Sequence, residues 1–288
     1  MAASSIDTAI RNLVTAGADP NKIALVDNFC WCSSKDPFRL GQLKRAVTAC
    51  YDYATLFQTP FISGKDSMFN DFSGFDARGE PVKISIPPTL LISSIGHIDD
   101  VMKTVSLDAK CPEDLVYVLG KTHSEMGASE YFVYLSEREG NNAIGNNVPL
   151  VDAKSNRALY LALFRAIQLG LVASAQSVSR GGLGIALATT ALGGMLGMNI
   201  FLEKIPGSVE KNDEVLFSES QGRVVVTIHP KFQKKFESIF SHAPYRNIGF
   251  VCDSLNFTVC GLDGKKSIDT PLNDLVKAYR ARSEKEQV

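Results

Sequence analysis

Apolar and polar positions along the chain switch repeatedly between a helical and an extended period, and this predicts a mixed α/β protein. Behind a serine at position 4, Ile6, Ala9, Ile10, Leu13 and Val14 recur on one helical stripe, closed by Gly17 and Pro20. Residues 22–26 then read as a short buried strand that delivers Asp27 and Asn28 to its C-terminal end, a common place for ligand-binding groups. A loop rich in Cys, Ser and Pro leads into a long helical stretch over 40–57, and a strand follows at 60–62. Two more strands are predicted at 82–86 and 89–95, separated by Pro87-Pro88, whose missing N–H groups suit a sheet edge or a bend.

A polar stretch at 99–112 marks a linker into a second unit. Beyond it the pattern predicts a strand at 115–119, a helix entered through Gly127-Ala128-Ser129, a loop at 141–147 and a helix over 154–169 stopped by Gly170. The segment Ser177-Val178-Ser179-Arg180-Gly181-Gly182 opens onto an Ala/Leu-rich helix at 183–192. Such a glycine turn before a helix suits an anion, and equally suits close packing of helix on sheet. Strands at 222–228, 247–252 and 256–260, a helix at 230–240 with proline in its first turn, and an amphipathic helix at 271–282 complete the pattern. The expected organisation is a first domain at 1–105, a second at 106–265 and a C-terminal helical tail at 266–288.

Composition narrows the function. With 30 basic residues against 31 acidic and a net charge of -1, the chain lacks the basic face that steers nucleic acid or an anionic membrane. The six cysteines show no disulfide framework, and Cys30-Trp31-Cys32 has neither the spacing nor the second pair of a zinc site. No apolar run reaches the roughly 18 residues of a membrane helix, and the N-terminus has no signal-peptide pattern. A cytoplasmic protein with reduced thiols is expected.

The segment Ile62-Ser63-Gly64-Lys65-Asp66-Ser67 carries the most chemistry, read as a polar turn closing the strand at 60–62. Gly64 allows close backbone approach, Lys65 supplies a point charge, and Ser67 can donate to an anionic oxygen or help place Mg²⁺. It is not a Walker A loop, because position 59, where the first glycine would stand, is Thr, and Pro follows it at position 60. An ordinary strand-end turn accounts for the spacing equally well.

Six segments in order carry more than any one of them: Asp27-Asn28, Gly64-Lys65-Asp66-Ser67, Pro87-Pro88-Thr89, Gly127-Ala128-Ser129-Glu130-Tyr131, the turn at 177–182, and Ser218-Glu219-Ser220-Gln221-Gly222-Arg223. Together they resemble the second half of the phosphoribosylformylglycinamidine synthases, in the superfamily of aminoimidazole ribonucleotide synthetase. The resemblance implies an N-type domain whose sheet pairs with its counterpart into a barrel, followed by a C-type α/β domain. It further implies an ATP- and Mg²⁺-dependent ligase step in purine biosynthesis, in which formylglycinamide ribonucleotide becomes the amidine with ammonia from a glutamine amidotransferase partner. The first copy of the family's two-domain unit, which holds its catalytic histidines, is the implied second partner, so no catalytic residue is assigned in this chain.

Carried over position by position, Asp27 and Gly64 match positions that contact ATP, and Ser67 one that contacts the ribonucleotide. Lys65 replaces an asparagine that ligates Mg²⁺ in compact members; a cation there meets phosphate instead, which leaves the metal ligands unassigned. The turn at 177–182 departs from the family pattern His-Asp-x-Ser-Asp-Gly-Gly, having Gln176, Ser177 and Arg180 at the first, second and fifth positions. It is expected to serve structure or to meet a nucleotide phosphate through Arg180. Glu219 is expected to cap or to pair with Arg223. Two alternatives stay open on the residues: a self-sufficient homodimeric relative, and a catalytically silent nucleotide-binding scaffold. The strands around Ile84, Ile86, Leu91 and Ile95 are expected to leave an uncovered face that pairs two copies when the chain is isolated.

Overall fold

A computed structural model describes residues 1–141 and 144–285. The chain begins with Ala2–Thr15 (α1), then Ile23–Cys30 (β1), Pro37–Phe57 (α2), Phe61–Ser67 (β2), Asp71–Phe75 (β3), Pro81–Ser85 (β4) and Thr89–Gly96 (β5). It continues through Leu115–Leu119 (β6), Glu130–Glu139 (α3), Ala153–Gln168 (α4), Ser174–Ser177 (β7), Gly182–Gly194 (α5) and Gly197–Phe201 (β8). Asn212–Phe217 (α6), Val224–Ile228 (β9), Gln233–Ile239 (α7), Tyr245–Cys252 (β10), Asn256–Cys260 (β11), Lys266–Pro271 (β12) and Leu272–Lys285 (α8) complete it.

Three sheets result. β1 lies between β2, its parallel neighbour, and β5, antiparallel to it; β3 and β4 form a separate hairpin; and seven strands assemble in the order β12-β11-β8-β10-β6-β9-β7. The large sheet is antiparallel except where β11 runs alongside β8. All three sheets are open, and none closes into a barrel among the described residues.

Both faces of the large sheet are covered, which is why β6 and β9 read as continuous apolar runs without alternation. Tyr117, Leu119, Val224 and Val226 face α1, α4 and α7, whereas Val116, Val118 and Val225 face α5 and α8 through Leu183, Leu187 and Leu272. Truncating such a fully buried leucine to alanine costs about 2–5 kcal/mol.

The first core does not stop at the boundary between the two predicted domains. Ile6, Ile10 and Val14 of α1 join Leu25 and Phe29 of the small sheet to Tyr117, Val224 and Val226 of the large one in a single buried cluster. The small sheet is covered on one face only, by α1 and by Ala46, Cys50 and Phe57 of α2. Its outer face leaves Leu91 55% and Ile95 60% exposed; Ile84 of the hairpin is exposed too, while Ile86 is half-buried.

Helix boundaries follow their caps at α2, α3 and α4, whereas α1 starts at Ala2 without a side-chain cap and holds Ser4, the residue expected to cap it, within its first turn. Asp36 accepts the Phe38 N–H at 2.9 Å with Pro37 in the first turn, and Gln58 ends α2 in the left-handed region. Asp152 accepts the Ser155 N–H at 3.0 Å to start α4, and Ser129 caps α3 as its sequence predicts.

Several elements differ from the sequence expectation. Residues 61–67 form a strand and not a strand followed by a turn, and β1 runs on to Cys30, so Asp27 and Asn28 sit mid-strand. β2 hides its period because an edge strand exposed on both sides needs no apolar alternation. The strands at 71–75, 197–201 and 266–271 and the helix at 212–217 have no counterpart in the sequence reading. The first contains Gly74, and the last is a polar edge strand with Lys266 and Asp269. Residues 142–143 of the predicted loop at 141–147 lie outside the described residues.

Candidate functional site

The parallel register of β1 and β2 sets Asp27 against Gly64, Asn28 against Lys65, Phe29 against Asp66 and Cys30 against Ser67. Because strand side chains alternate between faces, neighbours in sequence part company here. Asp27 and Gly64 share the face that turns to α2, where Leu25 and Phe29 pack on Ala46 and Cys50. Lys65 and Ser67 belong to the outer face, beside Asn28 and Cys30. The four sequence-predicted residues thus meet at the free edge of one sheet but divide between its two sides.

Gly64 matters for space. A β-carbon built on it would stand 1.9 Å from Asp27 Oδ1, so the carboxylate lies directly over bare backbone. Burial, followed by the nearby charge of Asp66, holds the Asp27 carboxyl above its ordinary value, and hydrogen bonding from the backbone at Asp27 and Lys65 opposes that rise only in part. The same charge reaches α2: the Cys50 thiol is pushed up to about 11, first by burial and then by Asp27. Cys50 is therefore inert as a nucleophile.

The turn before α5 forms a second polar centre. Gly181 and Gly182 both adopt positive φ, at 81° and 72°, and a β-carbon on Gly182 would lie 2.6 Å from the Leu216 carbonyl. Ser177 accepts a hydrogen bond from Arg11 Nε at 2.8 Å. Arg180, expected as a phosphate contact, is committed to the Glu130 carboxylate, with Nε at 2.8 Å. Glu219 caps as expected: its Oε1 accepts the N–H groups of Glu130 at 2.9 Å and Gly181 at 2.8 Å. Its expected pairing with Arg223 is absent. Arg223 is fully buried and donates instead to Ser220 O at 3.1 Å, Thr122 Oγ1 at 3.0 Å and Ser218 O. Burial, and then the charge of Arg11, lowers the Arg223 pKa to about 9.

One network has no precedent in the sequence reading. The Asp7 carboxylate, buried with Arg11 on the same helix, accepts from Tyr160 Oη at 2.6 Å, Asn156 Nδ2 at 2.9 Å and the Gly222 N–H at 3.1 Å. Arg11 pairs with Asp7 and reaches Gln221 Oε1 at 3.2 Å. The only signal for it in the sequence is an Asp–Arg pair four residues apart on the shoulder of an apolar stripe. His97 Nδ1 lies 3.0 Å from Asp99 on the exposed surface. Among the described residues no cluster of three or more His, Cys, Asp or Glu could hold a metal, and no helix is long and apolar enough to cross a membrane.

Comparison with known proteins places this architecture. The family model for AIR synthase related protein, C-terminal domain, matches residues 112–259. Phosphoribosylformylglycinamidine synthase subunit PurL of Methanocaldococcus jannaschii is 31% identical over 84% of this chain and 32% of its own length. The subunit PurL of a Nostoc species is 33% identical over 80% of this chain and 28% of its own. The chain spans about a third of the length of the curated relatives it matches. Thermotoga maritima PurL complexed with FGAR superposes with a TM-score of 0.72 at 18% identity, covering 95% of this chain and 42% of that one. Escherichia coli HypE, a hydrogenase maturation protein, gives a TM-score of 0.64 at 14% identity, with 92% of this chain and 77% of that one covered. By the family match and by the relatives, the chain belongs to the AIR synthase superfamily as a PurL-like member.

Proposed function

We propose that this chain is the second synthetase unit of a phosphoribosylformylglycinamidine synthase, with ATP bound along the free edge of β2. Residues 1–105 serve as its N-type domain and 106–265 as its C-type domain, with the tail from 266 onward. The observation that carries the reading is the register of Asp27 with Gly64 at an open sheet edge, a carboxylate poised over backbone that has no side chain to obstruct a ligand. T. maritima PurL has been crystallised with ATP and with AMPPCP, and the likeness to those structures supports a nucleotide here.

In this reading Asp27, Gly64 and Lys65 contact ATP, and Ser67, on the outer face, contacts the ribonucleotide. The long stem of Lys65 lets its ammonium reach round the edge strand to phosphate oxygens. Asp27 and Asp66 are hard oxygen donors on one face of the paired strands, and two carboxylates with phosphate oxygens would suit Mg²⁺, which would neutralise phosphate charge when bound. The chemistry is transfer of the γ-phosphoryl of ATP to the amide oxygen of formylglycinamide ribonucleotide. Ammonia then adds to the amide carbon and phosphate leaves, giving the amidine.

Partners follow from the two-unit plan that the resemblance implies. A complementary N-terminal half would complete the barrel and supply the catalytic histidines, and a glutamine amidotransferase would supply ammonia; the likeness to a structure of PurLQS from T. maritima supports partner subunits. The test is ADP formation from ATP, Mg²⁺, ammonia and formylglycinamide ribonucleotide, by this chain alone and with the complementary half added. Activity confined to the mixture supports the reading, whereas equal activity from the chain alone overturns it.

A further inference from the structure

α3 is the least anchored of the longer helices, having no fully buried residue along its length. What holds it is concentrated at its N-terminal end. Glu219, in the loop after α6, uses one carboxylate oxygen to accept both the Glu130 N–H, which opens α3, and the Gly181 N–H, which caps α5. Arg180, one residue before that cap, returns the connection by donating to the side chain of Glu130. Beside these contacts the ring of Tyr131 stacks on Phe217, the last residue of α6, with centroids 4.7 Å apart and planes 5° from parallel. Between α3 and α5 a cleft of about 580 Å³ opens, lined by Glu130, Tyr131, Tyr134, Gly181, Ile185 and Phe217.

We propose that α3 is a lid over the first turn of α5 and that Glu219 is its latch. A helix that buries little apolar surface is held by whatever fixes its end, and segments of that kind open locally at far lower cost than the core. The latch joins two helix starts through a single acceptor, so losing that oxygen loosens both at once and leaves α3 only the Ser129 cap and the ion pair at its start. The ion pair cannot replace it, because Arg180 is 77% exposed and its bond to Glu130 is screened by solvent. The stacked rings then act as the pivot: they sit at the α6 side of the cleft, and α3 can swing about them without disturbing β6 or β9. Closed, the lid covers Gly181 and leaves Ile185 47% exposed at its margin; open, it bares the first turn of α5.

Hydrogen–deuterium exchange on the full chain tests this. In Glu219→Ala the amides of residues 132–139 exchange at least tenfold faster than in the unaltered protein, while those of β6 and β9 keep their protection. Glu219→Gln, whose amide oxygen still accepts but carries no charge, falls between, and it gives the readout if the alanine variant does not fold. Arg180→Ala accelerates α3 by less than Glu219→Ala. Unchanged exchange in α3 overturns the proposal. So does a rise in β6 and β9 parallel to that in α3, since Glu219 would then support the whole domain and latch nothing.

Discussion

Tyr160 donates its hydroxyl to the Asp7 carboxylate at 2.6 Å, joining the middle of α4 to the first turns of α1 with both side chains fully buried. The bond also shapes the phenol, whose pKa is raised by burial and then by the negative charge of Asp7. Tyr160→Phe removes one of the donors to Asp7 and is expected to cost about 1–3 kcal/mol in denaturant unfolding. Asp7→Ala strips Arg11 of its only carboxylate partner in the network and is expected to cost more, about 3–5 kcal/mol. Equal stability of Asp7→Ala and the unaltered protein would show that the network is solvated and not buried.

Gly64→Ala puts a methyl where the Asp27 carboxylate stands. The expected outcome in the complete enzyme is a loss of turnover of more than tenfold, with the fold retained because β2 is an edge strand. Asp27→Ala and Ser67→Ala are each expected to lower turnover by more than tenfold as well. Adding Gly64→Ala to Asp27→Ala should cost nothing further, since the clash has gone; a full additional loss in steady-state kinetics would detach Gly64 from Asp27.

The raised Asp27 pKa makes a prediction of definite sign. Its carboxyl holds a proton more tightly in the folded state than at the ordinary value of 3.8, so below that value the group carries no penalty. As pH rises through the folded pKa the ionised form is disfavoured, and the penalty is complete above it. Asp27→Asn should therefore raise the melting temperature at pH 7, with the gain closing as pH falls below the carboxylate range. An activity loss joined to a stability gain is the mark of a group kept for function. A gain that persists undiminished at acid pH would trace to something other than ionisation.

The uncovered outer face of the small sheet predicts self-association of the isolated chain. Light scattering at rising concentration should show dimers, and Leu91→Lys with Ile95→Lys should return the chain to monomer without loss of secondary structure. A monodisperse monomer of the unaltered chain at high concentration would mean that the exposed side chains cover themselves.

What the sequence shows plainly is what depends on near neighbours. α1, α2 and α4 announce themselves through apolar positions at helical spacing, α2 and α4 also through caps a residue ahead, and β6 and β9 through apolar runs too short for helices. The candidate segment is plain in the sequence by its residue types, but its shape is not. In a turn, Gly64 to Ser67 would cluster; in a strand the pleat sends alternate members to opposite faces, and nothing local separates the two cases when the strand is polar. The Asp7 network was illegible for another reason. Its partners, Tyr160 and Gly222, stand 153 and 215 residues further on, and no period or motif connects positions so far apart.

That distance bears on how the molecule is made. α1 is made well before the elements that complete its network, and the last hydrogen-bond partners of its Asp–Arg pair, Gln221 and Gly222, stand just ahead of β9. Until then the network is incomplete, and the apolar stripe beside it lacks the Tyr117–Val226 surface it finally covers. Closing so long a loop delays the rewarding contacts and slows folding. The small sheet cannot therefore mature ahead of the large one as an autonomous domain would. A nascent chain arrested near residue 110 should stay protease-sensitive throughout, and α1 should gain protection only in chains long enough to include Gly222.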